Sequence, residues 1–387
     1  MKYLVNGTVY TPSAVIPDGV VAIEGGAIQA VGLAEELEVP ADAEAIDASN
    51  RDVVPGFIDI HFYGCGGHSL ADLDSIPEEL AAISTLLPRW GTTSYLISVP
   101  VGDHPSLVRV LEVTAEAITA HEAGAQPLGI HLEGPYLDPQ KRGAFPVELL
   151  REPNVDEIED YIQAAKGYIQ IVTLAPDLPH SRLVARHLRQ MGVLASLGHS
   201  SASYEEAVSA LSEDFPLVTH VFNAMSGLHH RRPGMVGAIL TSERAIGMLI
   251  CDGIHVHPAV VKLLFRMLGP HRLILVTDAM PGAGLGDGIY RLLGQEVTVK
   301  EGKATLPDGT IAGSVLTMDR AVANMQAFTG CSLTEALKMA TLNPAEALGR
   351  AHRKGCLAPG YDADIVVLDE QGQSRLTMVR GEIVWQV

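Results

Sequence analysis

The chain has 387 residues, 47% of them hydrophobic, which is enough to fill the core of one large domain with an appendage. Its formal net charge of −19 argues against a nucleic-acid-binding surface, which would need a basic face. Because no apolar run reaches about 18 residues, the sequence also predicts no membrane-spanning helix.

The two ends of the chain share a pattern of short apolar runs separated by Gly turns. The N-terminal stretch is YLVNGTVYTPSAVIPDGVVAIEGGAIQAVG, and the C-terminal stretch is GCLAPGYDADIVVLDEQGQSRLTMVRGEIVWQV. Each predicts a meander of β-strands that is too small to form a full sheet by itself. We therefore expect residues 1–52 and 355–387 to pair in one small β-sandwich domain.

The N-terminus and the cysteines predict the compartment. The first residues, MKYLVNGTVYTPS, lack the apolar stretch and the cleavage site of a signal peptide. The four cysteines are scattered without a CxxC pair, so we expect them to stay reduced in a cytoplasmic protein. They are Cys65, Cys251, Cys331 and Cys356.

Between about Val53 and Met280 the chain repeats a pattern of short apolar run, loop and amphipathic helix, and we expect residues 53–354 to form a metal-dependent catalytic barrel domain. The runs are rich in β-branched residues and almost continuously apolar, which is typical of parallel strands covered on both faces. They are VVPGFIDIH, GTTSYLIS, PLGIHLEGP, IQIVTLAPD, VLASLGHS, LVTHVFNAM, AIGMLICDGIH and LILVTDAM. Eight such strands predict an α/β fold of the TIM type, a (β/α)8 barrel; a doubly wound sheet is the alternative, but no GxGxxG opens the first helix.

Three segments around these strands have expectations of their own. PHSRLVARHLRQMG predicts a helix with Leu183, Val184, His187, Leu188 and Met191 on one side. Residues Tyr290 to Ser314 predict a hairpin or long loop over the active site. Two further helices are expected in MDRAVANMQAFTG and SLTEALKMATLNPAEALG.

Polar residues stand where predicted strands give way to loops, the edge at which barrel enzymes place their chemistry. They are His61, Glu133, His199, His220, His255 and Asp278. Glu133, His199 and His220 supply one carboxylate and two imidazoles, a ligand set that leaves a fourth position of a zinc-type ion open for water. Zn, Fe(II), Co and Mn all suit these ligands. Asp278 supplies the carboxylate that can take a proton from that water.

The stretch HFY after the first strand bears on how many ions bind. A His-x-His pair would place two imidazoles on one side of the strand, but here the second position is Tyr63. Tyrosine ionises near pH 10 and is a poor ligand at neutral pH. We expect one firmly held ion, with His61 marking a weak second site at most.

Two basic stretches could receive an anionic substrate despite the acidic chain. GLHHRRPG, residues 227–234, is the stronger candidate, and PQKRG, residues 139–143, is the weaker one.

Seven motifs in chain order carry a resemblance to a known family. They are PGFIDIH, HLEGPY, LGHS, THVFNAM, CDGIHVHP, LVTDAM and GTIAGSVLTM. In combination they resemble the N-acetylglucosamine-6-phosphate deacetylases of the amidohydrolase superfamily. The resemblance implies hydrolysis of the acetamide of N-acetylglucosamine 6-phosphate to glucosamine 6-phosphate and acetate, in amino-sugar catabolism.

The resemblance also assigns residues. It makes Glu133, His199 and His220 the metal ligands and Asp278 the general base and acid, with Arg231 reaching the phosphate of the neighbouring subunit in a homodimer. The remaining residues implied in substrate binding are Ala144, Asn223, Ala224, Asp252, Gly253, Ile254, His255, Ile311, Ala312 and Gly313.

One departure from the family concerns the substrate. Phe145 stands where the family has His or Gln, so a hydrogen-bond donor near the amide carbonyl is missing. The alternatives are a deacetylase of N-acetylgalactosamine 6-phosphate or of another N-acyl sugar, and a catalytically inactive scaffold with the amidohydrolase fold.

Overall fold

Five strands open the chain in the computed structural model, which describes residues 1–99 and 101–387. They are β1 (Lys2–Tyr10), β2 (Val15–Glu24), β3 (Ala27–Leu33), β4 (Glu44–Asp47) and β5 (Asp52–Pro55). β1 to β3 form an antiparallel meander, and β4 and β5 pair in parallel with β1.

An alternation of strands and helices follows. In chain order its elements are β6 (Phe57–Phe62), the hairpin strands β7 (Gly64–Cys65) and β8 (His68–Ser69), α1 (Ile76–Leu86), β9 (Thr92–Ser98), α2 (His104–Thr119), β10 (Gln126–Glu133), α3 (Val155–Ala164), β11 (Ile169–Leu174), α4 (Ser181–Gln190), β12 (Leu194–Leu197), α5 (Tyr204–Glu213), β13 (Leu217–Val218), α6 (Gly234–Thr241), β14 (Ile246–Ile250), α7 (Pro258–Leu268) and β15 (Leu273–Val276). The parallel sheet runs in the order β15-β14-β13-β12-β11-β10-β9-β6, so each barrel strand lies beside its successor. The predicted (β/α)8 fold is confirmed.

Hydrogen bonds between the first and last strands close the barrel. The backbone N–H of Asp278 donates to the carbonyl of His61 at 2.9 Å, and that of Tyr63 donates to Ala279 at 2.8 Å. This closure places His61 beside Asp278 although more than 200 residues separate them in the chain.

The remaining elements form a hairpin beside the cavity, pack helices against β6 and β15, and complete the terminal sheet. They are the hairpin strands β16 (Gly288–Leu292), β17 (Gln295–Lys300) and β18 (Lys303–Thr305), the helices α8 (Met318–Thr329), α9 (Leu333–Ala340) and α10 (Leu342–Ala347), and the strands β19 (Ile365–Leu368), β20 (Ser374–Val379) and β21 (Glu382–Gln386). β19 to β21 join the N-terminal strands in the order β21-β20-β19-β5-β1-β2-β3, with β4 on β1. Strands from both chain ends therefore form one continuous sheet, separate from the barrel sheet, around a shared apolar core.

The first predicted barrel strand, VVPGFIDIH, is divided between the two sheets. β5 pairs with β1 and β19 in the terminal sheet, and β6 pairs with β9 in the barrel. Gly56 stands at the division, where a Cβ atom would lie 2.1 Å from Oγ1 of Thr93. Only glycine fits this close approach.

Two helix expectations need correction. In α4 the buried residues are Ser181, Val184, Ala185 and Leu188, an i, i+3, i+4, i+7 set, whereas Leu183 is 51% exposed and Met191, beyond the helix end, is 49% exposed.

The final predicted helix, SLTEALKMATLNPAEALG, is two helices, α9 and α10. Pro344 lacks an N–H and its ring would collide with the carbonyl of Ala340, so one continuous helix cannot form. Within the described residues, no helix is both long and apolar enough to cross a membrane.

Candidate active site

The predicted metal and catalytic residues meet at the carboxyl ends of the barrel strands. Glu133 is the last residue of β10, and His199, His220 and Asp278 each lie two residues beyond the end of β12, β13 and β15. These three have positive φ angles of 47°, 28° and 49°. Such backbone conformations cost about 1–3 kcal/mol each in non-glycine residues and concentrate at functional sites.

Glu133, His199 and His220 bring three ligand atoms together. The Nε2 atoms of His199 and His220 lie 3.0 and 2.9 Å from Oε1 of Glu133, and 3.0 Å from each other. Tetrahedral ligands of a zinc-type ion, at bond lengths near 2.0–2.1 Å, are separated by roughly 3.3 Å. All three residues are buried, so water does not hydrate them freely.

The hydrogen bonding of His199 shows that these residues fit a cation. Its Nδ1–H donates to the backbone carbonyl of Lys141 at 2.7 Å, because a carbonyl can only accept. With one hydrogen on the ring, Nε2 carries the lone pair that a cation needs, and it faces the carboxylate of Glu133. Two acceptors at 3.0 Å repel each other unless a cation lies between them, and a backbone carbonyl on the far nitrogen is the usual partner of a metal-binding histidine.

A second group of ligand atoms shares His220 with the first. His61, His220 and Asp278 each offer one ligand atom within 4.8 Å of the others. Nε2 of His61 lies 3.5 Å from Oε2 of Glu133 and 3.5 Å from Oδ1 of Asp278. The hydroxyl of Tyr63 donates to Oε2 of Glu133.

The two carboxyl groups differ in their affinity for protons. Burial alone would raise the pKa of Glu133, but the imidazoles of His61, His199 and His220, which face its carboxylate, lower it well below its usual value. Burial, and then the negative charge of Glu133, raise the pKa of Asp278. A carboxylate whose pKa is lowered beside a carboxyl whose pKa is raised is the arrangement expected of a ligand and an acid–base group.

These residues line a cavity of about 360 Å³, within the size range of small-molecule sites. Six of the residues expected to bind substrate lie on its wall. They are Ala144, Asn223, Ala224, His255, Ile311 and Gly313. The β16–β18 hairpin closes one side, and its Gln295 side chain donates to the carbonyl of Ala144 at 2.6 Å.

Five other expected residues do not line this cavity. Asp252 holds His255 in place through a 2.6 Å contact between Oδ2 and Nδ1, and Gly253 and Ile254 belong to the turn between them. Ala312 is buried. Arg231 is exposed and lines a separate cavity of about 450 Å³ with Tyr204 and Pro233.

Some cavity residues were not singled out as binding residues from the sequence. Gln140 and Lys141 come from the weaker basic stretch, and Leu292, Leu293 and Thr310 come from the hairpin region. Phe145 is buried edge-on against His199, with ring centroids 5.4 Å apart, so it forms an apolar wall beside the ligand cluster.

The chain is similar in sequence to known amidohydrolases. Residues 53–384 match the amidohydrolase family. The chain is 38% identical to N-acetylglucosamine-6-phosphate deacetylase of Bacillus subtilis, over 97% of this chain and 95% of the relative. It is 37% identical to N-acetylgalactosamine-6-phosphate deacetylase of Escherichia coli O157:H7, over 87% of this chain and 90% of the relative.

Solved structures agree with these relatives. N-acetyl-D-glucosamine-6-phosphate deacetylase of Mycobacterium smegmatis, solved as a mutant in complex with N-acetyl-D-glucosamine-6-phosphate, superposes with a TM-score of 0.91 at 33% identity and 99% coverage of both chains. The enzyme of Pasteurella multocida gives a TM-score of 0.92 at 31% identity, also covering 99% of both chains. The resemblance inferred from the motifs is confirmed.

Proposed function

The chain belongs to the amidohydrolase family, and we propose that within it this protein hydrolyses the acetamide of N-acetylglucosamine 6-phosphate. Water adds to the carbonyl carbon, the C–N bond breaks, and the products are glucosamine 6-phosphate and acetate. This reaction serves amino-sugar catabolism. The observation that carries the proposal is the convergence of Glu133, His199, His220 and Asp278 on one cavity.

Glu133, His199 and His220 would hold one divalent ion per subunit, zinc or alternatively Fe(II), Co or Mn. Such an ion supplies a Lewis acid that polarises the amide carbonyl and makes a coordinated water more acidic. Lys141 supports the site through its backbone, because its carbonyl fixes the orientation of the His199 ring.

Asp278 is proposed to move the proton in this reaction. Its carboxylate takes a proton from the attacking water, and the resulting acid gives that proton to the departing amine nitrogen. The raised pKa of Asp278 suits the first role, because burial and the negative charge of Glu133 make its carboxylate a stronger proton acceptor.

The sugar is proposed to lie against Asn223, Ala224 and His255, with Ile311 and Gly313 closing over it. Asp252, Gly253, Ile254 and Ala312 act behind this wall by shaping its turns. In a homodimer, Arg231 of each subunit would reach the phosphate bound by the other, since this exposed side chain lies outside its own cavity. Bidentate Arg pairing suits a phosphate, and an acidic chain needs such a local cation.

Lys141 is a second candidate for the phosphate. Among the described cavity-lining residues it carries the one permanent positive charge. We also propose a cytoplasmic location, because all four cysteines are buried and unpaired in the described structure.

The galactosamine epimer is the second candidate substrate, favoured by the 37% identity to the Escherichia coli relative. Acetate release from both N-acetylated epimers, each with and without the 6-phosphate, separates the possibilities. The proposal predicts the highest kcat/KM with N-acetylglucosamine 6-phosphate. Absence of turnover with every substrate after loading with Zn, Fe(II), Co or Mn would instead favour an inactive scaffold.

A further inference from the structure

Two groups of ligand atoms share His220, and whether the second also holds an ion decides how the site works. The first group is Glu133 with His199 and His220, and the second is His61 with His220 and Asp278. Distances alone do not distinguish them. The directions of the hydrogen bonds around His61 do.

A buried chain of hydrogen bonds begins at a group that can only accept. The carbonyl of Ile60 lies 2.9 Å from Nδ1 of His131, so this nitrogen carries a hydrogen. The other nitrogen of His131 then accepts from the hydroxyl of Thr173 at 2.8 Å. Thr173 in turn accepts from Thr219 at 2.7 Å, and Thr219 accepts from Ser196 at 2.6 Å. Each hydrogen bond in this buried series therefore has a defined donor and a defined acceptor.

This direction fixes the tautomer of His61. Its Nδ1 lies 2.9 Å from the protonated Nδ1 of His131, and two N–H groups cannot face each other at that distance. Nδ1 of His61 therefore accepts, and the hydroxyl of Ser98, 3.3 Å away, can donate to it as well. A neutral imidazole carries one hydrogen, so it resides on Nε2, the atom that faces Glu133 and Asp278.

Nε2 of His61 is consequently a donor without a lone pair for a metal ion. It is fully buried and has no partner within hydrogen-bonding distance among the described residues. The two nearest carboxylate oxygens, each 3.5 Å away, both attract its hydrogen.

Tyr63 acts on the same carboxylate from the other side. Its hydroxyl donates to Oε2 of Glu133, so that oxygen is engaged while Oε1 faces the two imidazoles. Tyr63 is buried, so water does not compete for this bond.

We propose that Tyr63 and His61 are positioning residues that reserve Glu133 for a single ion: the phenol holds Oε2, and the Nε2–H of His61 occupies the region where a second ion would lie. The inference rests on the proposed function for the identity of the first site. It assigns a role to the sequence His-Phe-Tyr, in which the hydroxyl of Tyr63 donates a hydrogen bond at the position where a second histidine would bind metal. The buried chain from Ser196 to His131 keeps His61 in this state.

The test measures metal binding and does not depend on turnover. Protein stripped of metal is titrated with zinc, and bound zinc per subunit is measured together with its dissociation constant. The wild type is expected to bind one ion even in tenfold excess. Tyr63→Phe is expected to bind one ion about 10–100-fold more weakly, as for other partners of ligating residues, and to lose kcat with little change in KM. Tyr95→Phe is the matched control, because it removes a buried hydroxyl that contacts Ser84 outside the cavity, and it should bind zinc as the wild type does.

A second measurement reports the tautomer itself. Protein with 15N-labelled histidine, loaded with one equivalent of zinc, should show His61 protonated at Nε2, with its signals assigned by their loss in His61→Gln. Two ions per wild-type subunit, zinc affinity of Tyr63→Phe equal to wild type, or His61 protonated at Nδ1 would each overturn the inference. If Tyr63→Phe does not fold, stoichiometry and the His61 signals still decide. A failed proposed function would show as absent acetate release, which leaves all three readouts interpretable.

Discussion

Asp278→Asn separates proton transfer from metal binding. Asn has nearly the shape of Asp but cannot take a proton from water or return one to the amine. General acid–base groups accelerate reactions by about 10²–10⁴-fold, so kcat should fall by at least about 10²-fold. Zinc content should stay near wild type, because the three-atom ligand cluster is formed without Asp278.

The same substitution should stabilise the metal-free protein. Burial and the charge of Glu133 raise the pKa of Asp278, so its charged form is unfavourable in the folded state. For a carboxyl with a raised folded-state pKa, stability is highest below the unfolded pKa, near 4, and is lost as pH rises through the folded pKa. Each unit by which the folded-state pKa exceeds the unfolded-state pKa corresponds to about 1.4 kcal/mol of lost folding stability. Asn has no such loss, so the advantage of Asp278→Asn should grow as pH rises from about 4 towards neutrality.

Asp319→Asn is the matched control. Asp319 is also buried with a raised pKa, but it accepts from Thr317 and Arg320 at the start of α8, outside the cavity. The assay combines acetate release, zinc content, and thermal unfolding of the metal-free protein between pH 4 and 8. Asp319→Asn should keep near wild-type turnover. If Asp278→Asn retained more than a tenth of wild-type kcat, or lost its zinc, the assigned role would be refuted.

Four further substitutions test other residues of the site and the fold. Glu133→Gln should lose tight zinc binding and activity together, because the charge between the two imidazoles disappears; a zinc-replete variant would contradict the ligand assignment. Arg231→Met and Lys141→Met should each raise the KM for the phosphorylated sugar and leave the KM for the unphosphorylated sugar nearly unchanged. In subunit-mixing assays, only Arg231→Met should be rescued by a partner subunit that supplies the arginine. Equal losses of activity on both sugars would exclude a phosphate-binding role. Gly56→Ala should destabilise the protein by about 1–3 kcal/mol in denaturant unfolding, because its Cβ would lie 2.1 Å from Thr93 Oγ1; an unchanged midpoint would show that the two sheets can shift apart.

The barrel and its ligand cluster could be predicted because they depend on regular patterns. Apolar runs mark the strands, and parallel strands bring their carboxyl ends to one edge, so Glu133, His199, His220 and Asp278 had to lie close together. The division at Gly56 could not be read from the strand pattern, because the segments on both sides are apolar and differ only in the strands with which they pair.

The role of Tyr63 shows a second limit. The sequence identifies it as a missing ligand, but its hydrogen bond joins the residue after β6 to the last residue of β10, 70 positions further along the chain. The tautomer of His61 depends on five further side chains and a backbone carbonyl whose directions exist only in the folded structure. Arg231 illustrates a third limit. It lies outside the catalytic cavity of its own subunit, so its proposed role depends on a partner subunit.

The most direct measurement is acetate release from N-acetylglucosamine 6-phosphate during titration of metal-stripped protein with zinc. We expect no activity without metal, a linear rise to one equivalent per subunit, and no further gain beyond it. Full activity in the stripped protein, or a rise that continues to two equivalents, would contradict the proposed single-ion site.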